Sequence, residues 1–150
     1  MIEKNSSMRQ LIDIRLEKLN KLKELGIEPF PHKYNPTHKS IDIISSFDDL
    51  EKQTVCVAGR IMALRKMGKA SFFHVMDDRG KIQIFIKKDN VGEKVYEAFN
   101  LMDIGDFVGV RGFVFKTKVG EVSISAEKFD VLSKSIRPLP IVKEREGEIY

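Results

Sequence analysis

The sequence has 150 residues, 42% of them hydrophobic, with 26 basic against 22 acidic side chains, a formal charge of +4 and a pI near 9.1. That length and apolar content suffice for one domain with a buried core plus appendages. No apolar run approaches the roughly 18 residues of a membrane span, and the start MIEKNSSMRQ lacks the apolar segment of a signal peptide, so a cytoplasmic chain with no membrane partner is expected. The single cysteine, Cys56 in VCVAG, excludes an intrachain disulfide and reads as a small buried hydrophobe. The modest basic excess favours contact with a polyanion without establishing it.

In chain order, Ser7 with Gln10 three residues on fits a capping box, and Gly26 followed by Pro29 supplies a stop, so a helix is predicted over residues 8–25. Met8, Ile12, Leu16 and Leu19 make an apolar stripe flanked by Leu11 and Leu22, with Asp13, Glu17, Lys21 and Glu24 opposite; such a stripe must dock on something. GIEPFPHKYNP carries three prolines and predicts an extended connector, followed by a short helix near residues 39–46. Residues 1–50 thus form an N-terminal helix and connector. From residue 53 the period becomes two, and five strands are predicted, near 53–66, 70–77, 81–87, 106–117 and 121–132. NVGEKVYEAFNL, between the third and fourth, is helical in pattern, with Val91, Val95, Ala98 and Phe99 on one face and Asn90 as its cap.

Five strands with a helix after the third is the order of an OB-fold, a partly open five-stranded Greek-key barrel whose second and third strands usually carry the ligand. The expected fold is therefore all-β with helical additions: a barrel over residues 51–134, the N-terminal helix beside it, and a charged linker over 135–150. If the second and third strands pair about DDRG with Asp78 and Arg79 central, Phe73, Val75, Ile82 and Ile84 share the core face. Phe72, His74, Gln83 and Phe85 then point outward. Aromatic rings stack unpaired bases, and an amide offers a donor and an acceptor to base edges. Arg65, Lys66 and Lys69, at the joint of the first two strands, are placed to hold phosphates or a base edge.

Competing readings of the same residues are an oligosaccharide or protein ligand on that face, or a structural module whose outward Phe is covered by a neighbour. FKTKVGEVSI reads as a hairpin in which Lys118 faces Glu121 across Val119 and Gly120; amid Lys116 and Lys118 the carboxylate has a second possible use, accepting a base donor. His32 and His38 lie in the connector with no Cys or carboxylate at ligand spacing, so no metal site is expected.

The runs RLEKLNKLKELGIEPFPHKY, VAGRI, MGKASFFHVMDDRGKIQIF and VYEAFNLMDIGDFVGVRGFVFKTKVGEVSISAEKFDVLSKSIRPLP resemble the N-terminal region of bacterial-type class II lysyl-tRNA synthetases over nearly the whole chain. The aspartate and asparagine enzymes carry a similar OB-fold, but in them this first helix and GIEPFP would be unexpected. In the family this domain binds the uridine-rich anticodon of tRNA(Lys). The resemblance implies that Phe72 and Gln83 enclose the central anticodon base while Arg65 and Glu121 help to read the uridines. It leaves Lys66, Lys69, His74, Phe85, Lys116 and Lys118 as secondary RNA contacts. His74 and Lys66 depart from the family pattern, which puts fine specificity in question. The family's aminoacylation motifs, which handle ATP and magnesium, do not occur in the sequence. No catalytic residue and no cofactor are therefore expected in this chain, and PIVKEREGEIY resembles the linker before a catalytic domain. By resemblance the full-length enzyme attaches lysine to tRNA with ATP, and its partners are the anticodon loop, its own catalytic domain and a second subunit in a homodimer. The alternatives are a free-standing OB-fold protein for generic single strands, or an oligomer-assembly module using the first-helix stripe.

Overall fold

Alternating apolar residues on five segments curl into a closed barrel in the computed structural model, which describes residues 2–27 and 34–135. The remainder of the proline-rich connector and residues 136–150, including most of the predicted linker, lie outside the described residues. The strands are β1 (Thr54–Met67), β2 (Ala70–Met76), β3 (Lys81–Lys87), β4 (Phe107–Lys116) and β5 (Val122–Ser133), close to the predicted spans. They join in the order β1-β2-β3-β5-β4, with β4 returning to β1. All pairs are antiparallel except β3–β5, where Gln83 to Phe85 run parallel to Ser123 to Ser125.

β1, at 14 residues, serves two neighbours: Thr54 to Arg60 pair with β4, and Arg60 to Met67 with β2. A bulge between Ile61 and Ala63 shifts the register, and with it the side-chain phase. Ala58 and Arg60 before the bulge, and Ala63 and Arg65 after it, consequently share the outer surface with His74, Met76 and Phe72 of β2. The β2–β3 turn is as predicted, Asp77 N–H donating to Gly80 O at 2.8 Å, and Phe73, Val75, Ile82 and Ile84 are all buried.

The stripe between β3 and β4 forms in two pieces. Gly92, at φ 93°, interrupts it, so α4 (Lys88–Val91) is a single turn and α5 (Glu93–Asn100) carries the packing. Asn90 therefore lies inside α4 and caps nothing, while Gly92 occupies the cap of α5. Phe99 packs its ring 5.2 Å from Phe73 and 5.8 Å from Phe129, filling the barrel end. The Tyr96 hydroxyl donates to Gly68 O at 2.7 Å and bonds Ser71 Oγ at 2.8 Å, tying α5 to the β1–β2 turn.

Helix α1 spans Ile2–Glu24, so it starts before Ser7 and the capping-box boundary is corrected. Nothing between Ile2 and Ser7 is a glycine or proline that would stop the helix propagating. Its end is as read: Ile27 N–H reaches Leu22 O at 2.9 Å and Gly26 N–H reaches Lys23 O at 2.9 Å, a Schellman pair with Gly26 at φ 80°. The docked face also differs from the predicted stripe. Leu22 is fully buried, but Met8, Leu11 and Leu16 are exposed, and charge does part of the docking. Lys18 Nζ meets Asp103 Oδ1 at 2.9 Å, and Lys134 Nζ meets Asp103 Oδ2 at 2.7 Å and Asp106 Oδ2 at 2.8 Å. Asp106 also accepts the backbone N–H of Asp103 at 2.8 Å and of Ser135 at 2.6 Å. Burial pushes the Asp106 carboxyl up against the opposing pull of Lys134. For Asp103 burial acts in the same sense, but the Lys134 and Lys18 ammonium groups outweigh it and hold it below the ordinary carboxylate value.

Before the barrel, α2 (Ser40–Ser45) and α3 (Phe47–Leu50) follow the connector. Ser40 is buried and fastens this region to the β2–β3 turn through Asp77. Cys56 is half-buried on the outer face rather than in the core, its Sγ donating to the Tyr34 hydroxyl at 3.1 Å. Tyr34 in turn lies against the strand surface where Gly109 has no side chain.

Candidate nucleic-acid interface

Strand pairing fixes the outward row. Phe72 stands opposite Phe85 and His74 opposite Gln83 on β2–β3, and Arg65 of β1 stands opposite Phe72. The Phe72 and Phe85 rings are 4.8 Å apart, tilted by 38°, and Phe115 backs Phe85 at 6.3 Å. Phe72 is half-buried, supported behind and open in front, as a stacking platform requires.

Glu121 reaches this row because β5 runs parallel to β3: Gln83 pairs with Ser123, so the residue two positions earlier ends beside the Gln83 side chain. The β4–β5 turn differs from the two-residue form expected. Thr117, not Lys118, faces Glu121, with Thr117 N–H donating to Glu121 O at 2.9 Å and Glu121 N–H to Thr117 Oγ1 at 3.0 Å. Three residues, Lys118, Val119 and Gly120, then make the loop, and Gly120 supplies the left-handed position at φ 91°.

The Glu121 carboxylate is held in place. The Gln83 amide nitrogen lies 2.7 Å from Oε1 and 3.0 Å from Oε2, the orientation required because an amide oxygen there would set acceptor against acceptor. His74 Nε2 lies 3.1 Å from Oε2 and donates to it, so the ring carries a proton on Nε2. A carboxylate offers about four lone-pair sites, so Oε1 retains capacity for an incoming N–H. Arg65 is exposed and makes no hydrogen bond or ion pair among the described residues. These groups enclose a groove of about 500 Å³ lined by Ala63, Leu64, Arg65, Phe72, His74, Gln83, Thr117, Val119 and Glu121.

The structure thus brings Arg65, Phe72, His74, Gln83 and Glu121 together, with Phe85 beside Phe72 in the same outward row but not lining the groove. Lys69 and Lys118 are exposed on the two turns. Lys66 does not join them. It alternates with Arg65 and leaves on the other side of β1, where its ammonium donates to Asn100 O at 2.8 Å and Met102 O at 3.3 Å, and burial lowers its pKa. Lys116 is likewise turned away, its Nζ 4.4 Å from the centre of the Phe47 ring. Thr117 and Val119 were not anticipated. Val119, 90% exposed at the tip of a turn, is an apolar residue that the turn itself does not need.

A closed five-stranded barrel in this order, with aromatic, imidazole and amide groups on its second and third strands and a carboxylate brought to them by the β4–β5 turn, defines an oligonucleotide-binding fold. A family model for the tRNA anti-codon type of OB-fold nucleic acid binding domain matches residues 55–132, and the chain belongs to that family. It is similar to the lysine–tRNA ligase of Pelotomaculum thermopropionicum, with 45% identity over 137 residues that cover 91% of this chain and 27% of the relative. The lysine–tRNA ligase of Carboxydothermus hydrogenoformans is 46% identical over 136 residues, covering 91% and 28%. That of Bacillus subtilis is 43% identical over 143, covering 91% and 29%. The chain therefore spans under a third of the length of the curated relatives it matches.

Proposed function

We propose that this domain reads the uridines of the lysine-tRNA anticodon. The observation that carries the reading is the groove itself: a supported aromatic platform, a fixed carboxylate and an unpaired guanidinium converge on one opening in a member of an anticodon-binding family. A uracil stacked on Phe72 presents an N3–H donor between two carbonyl acceptors. Glu121 accepts the donor, and Arg65 or Gln83 serves the carbonyls. Cytosine presents a bare N3 at the same place, which opposes the carboxylate. The preference for uridine is thus electrostatic, and stacking supplies affinity without choosing a base.

The chain acts by binding rather than by catalysis. Lysine activation, with its ATP and magnesium, belongs on this reading to the larger part of a ligase of the length seen in the relatives, which would function as a homodimer. The test is a pair of substitutions read against an anticodon stem-loop. Phe72→Ala should weaken binding by about 1–3 kcal/mol, the worth of one stacked base, for uridine and cytidine loops alike. Gln83→Ala, which frees the Glu121 carboxylate, should reduce the uridine-to-cytidine ratio more than the affinity. Unchanged affinity in the first variant removes Phe72 from the site, and equal losses for both loops in the second remove edge reading.

A further inference from the structure

A second groove, of about 530 Å³, opens on the same β1–β2 surface. Outward residues on β2 follow one another at about 7 Å, so Met76, which lines this groove, is one step beyond His74, which lines the first. On β1 the bulge after Ile61 brings Arg60 onto the face that also bears Ala63 and Arg65. The two openings are successive stations on one ribbon.

Arg60 gives the second station its chemistry. Its guanidinium carbon lies 4.7 Å from the centre of the Phe107 ring, and its Nε is buried with no hydrogen-bond partner among the described residues. Nε itself is out of a ligand's reach, but the rest of the half-exposed Arg60 guanidinium also makes no hydrogen bond or ion pair among the described residues, so an anion entering the groove meets no competing acceptor there. The acids nearby do not compete for it. Asp77 accepts from Ser40 N, Ser40 Oγ, Arg79 N and Gly80 N, and Asp78 is paired with Lys39 at 2.9 Å. Among the described residues the uncommitted charge in the groove is the Arg60 cation, set between Phe107 and Met76, which are 38% and 39% exposed. An anion attached to a flat apolar body fits this pair.

We infer that single-stranded RNA flanking the bases read at Phe72 and Gln83 continues along β1–β2 into this groove, with a phosphate on Arg60 and a base against Phe107 and Met76. The inference rests on the anticodon reading and extends its footprint. The occupant is RNA because the groove lies next to the first along the same β1–β2 surface and carries a cation, unpaired among the described residues, beside an aromatic ring, the combination that holds nucleic-acid backbone and base.

The experiment is titration of the 150-residue chain with a lysine-tRNA anticodon stem-loop over a range of salt, and with cytidine in place of the anticodon uridines. Arg60→Met should weaken stem-loop binding about tenfold and reduce the slope of log K against log salt by about 0.7, the single-strand value for one phosphate contact. The uridine-to-cytidine ratio should not change. Phe107→Leu should weaken binding with the salt slope intact, and urea midpoints for both variants check folding. If the unsubstituted chain selects uridine while Arg60→Met binds with unchanged affinity and slope, this inference alone falls and the groove takes another class of partner. A changed base ratio in Arg60→Met would move Arg60 into the first groove and also overturn it. Absence of RNA binding by the unsubstituted chain overturns both this inference and the anticodon reading.

Discussion

Replacing Lys134 by Met tests the clamp that joins α1, the α5–β4 loop and the end of β5. The Lys134 side chain is 1% exposed and the Asp106 side chain fully buried, with 2.8 Å between ammonium and carboxylate. Removing one partner of such a pair costs about 3–5 kcal/mol, because the other charge stays buried. The lower end applies here, since Asp106 keeps the backbone N–H groups of Asp103 and Ser135. About 3 kcal/mol is a large share of a typical stability of roughly 5–15 kcal/mol, and in a chain of this size it lowers Tm by roughly 6–12 °C. Lys18→Met is the internal comparison. That ammonium is 25% exposed and meets Asp103 at 2.9 Å, so its loss should cost no more than about 1 kcal/mol. Urea unfolding followed by far-UV circular dichroism, on both variants and the parent, gives the numbers. A loss below about 1 kcal/mol for Lys134→Met, or equal losses for the two lysines, would refute the argument that burial sets the worth of these pairs.

Three further outcomes follow from the geometry. Gly109→Val places side-chain atoms in the Tyr34 ring, so the ring must leave β4 and release Cys56; the rate of Cys56 labelling by a thiol reagent should rise severalfold in the folded protein, and an unchanged rate contradicts the packing. Burial alone would raise the Asp77 carboxyl, but its bonds to Ser40, Arg79 and Gly80 hold it below the ordinary value of 3.8. A carboxyl with a depressed folded pKa stabilises above its unfolded value and loses that contribution as pH falls through the folded one. Urea midpoints should therefore fall below pH 3.8, and less steeply in Asp77→Asn; identical acid profiles would count against it. Lys69→Gln, on the exposed β1–β2 turn, should weaken all RNA sequences alike and flatten the salt dependence, whereas a sequence-selective loss would make it a base contact.

The barrel was legible because its information is local. The change to period two, the DDRG turn and the alternation on either side of it determine the faces of β2 and β3, and these placed Phe72, His74, Gln83 and Phe85 correctly. What escaped depends on contacts between distant segments. Glu121 is a base-reading candidate from the sequence, but its contacts with Gln83 and His74 are not legible there, because they come from the parallel β3–β5 pairing of segments some 40 residues apart. The clamp on α1 draws on Asp103, Asp106 and Lys134, none of which stands out in the sequence, and the helix docks with Met8 and Leu16 exposed. Lys66 is a different case. Alternation with Arg65 already directed it to the opposite side of β1, but its basic character and neighbours suggested an RNA contact. The bulge after Ile61 was invisible too, and it is what aligns Arg60 with Arg65.

On the anticodon reading proposed above, the groove at Phe72, Gln83 and Glu121 distinguishes uridine from cytidine. Fluorescence anisotropy of the chain with a lysine-tRNA anticodon stem-loop, against the same stem with cytidines in the anticodon, at physiological salt, puts this to the test. Clear preference for the uridine loop is the predicted result; equal binding of the two loops, or no binding of either, would contradict it.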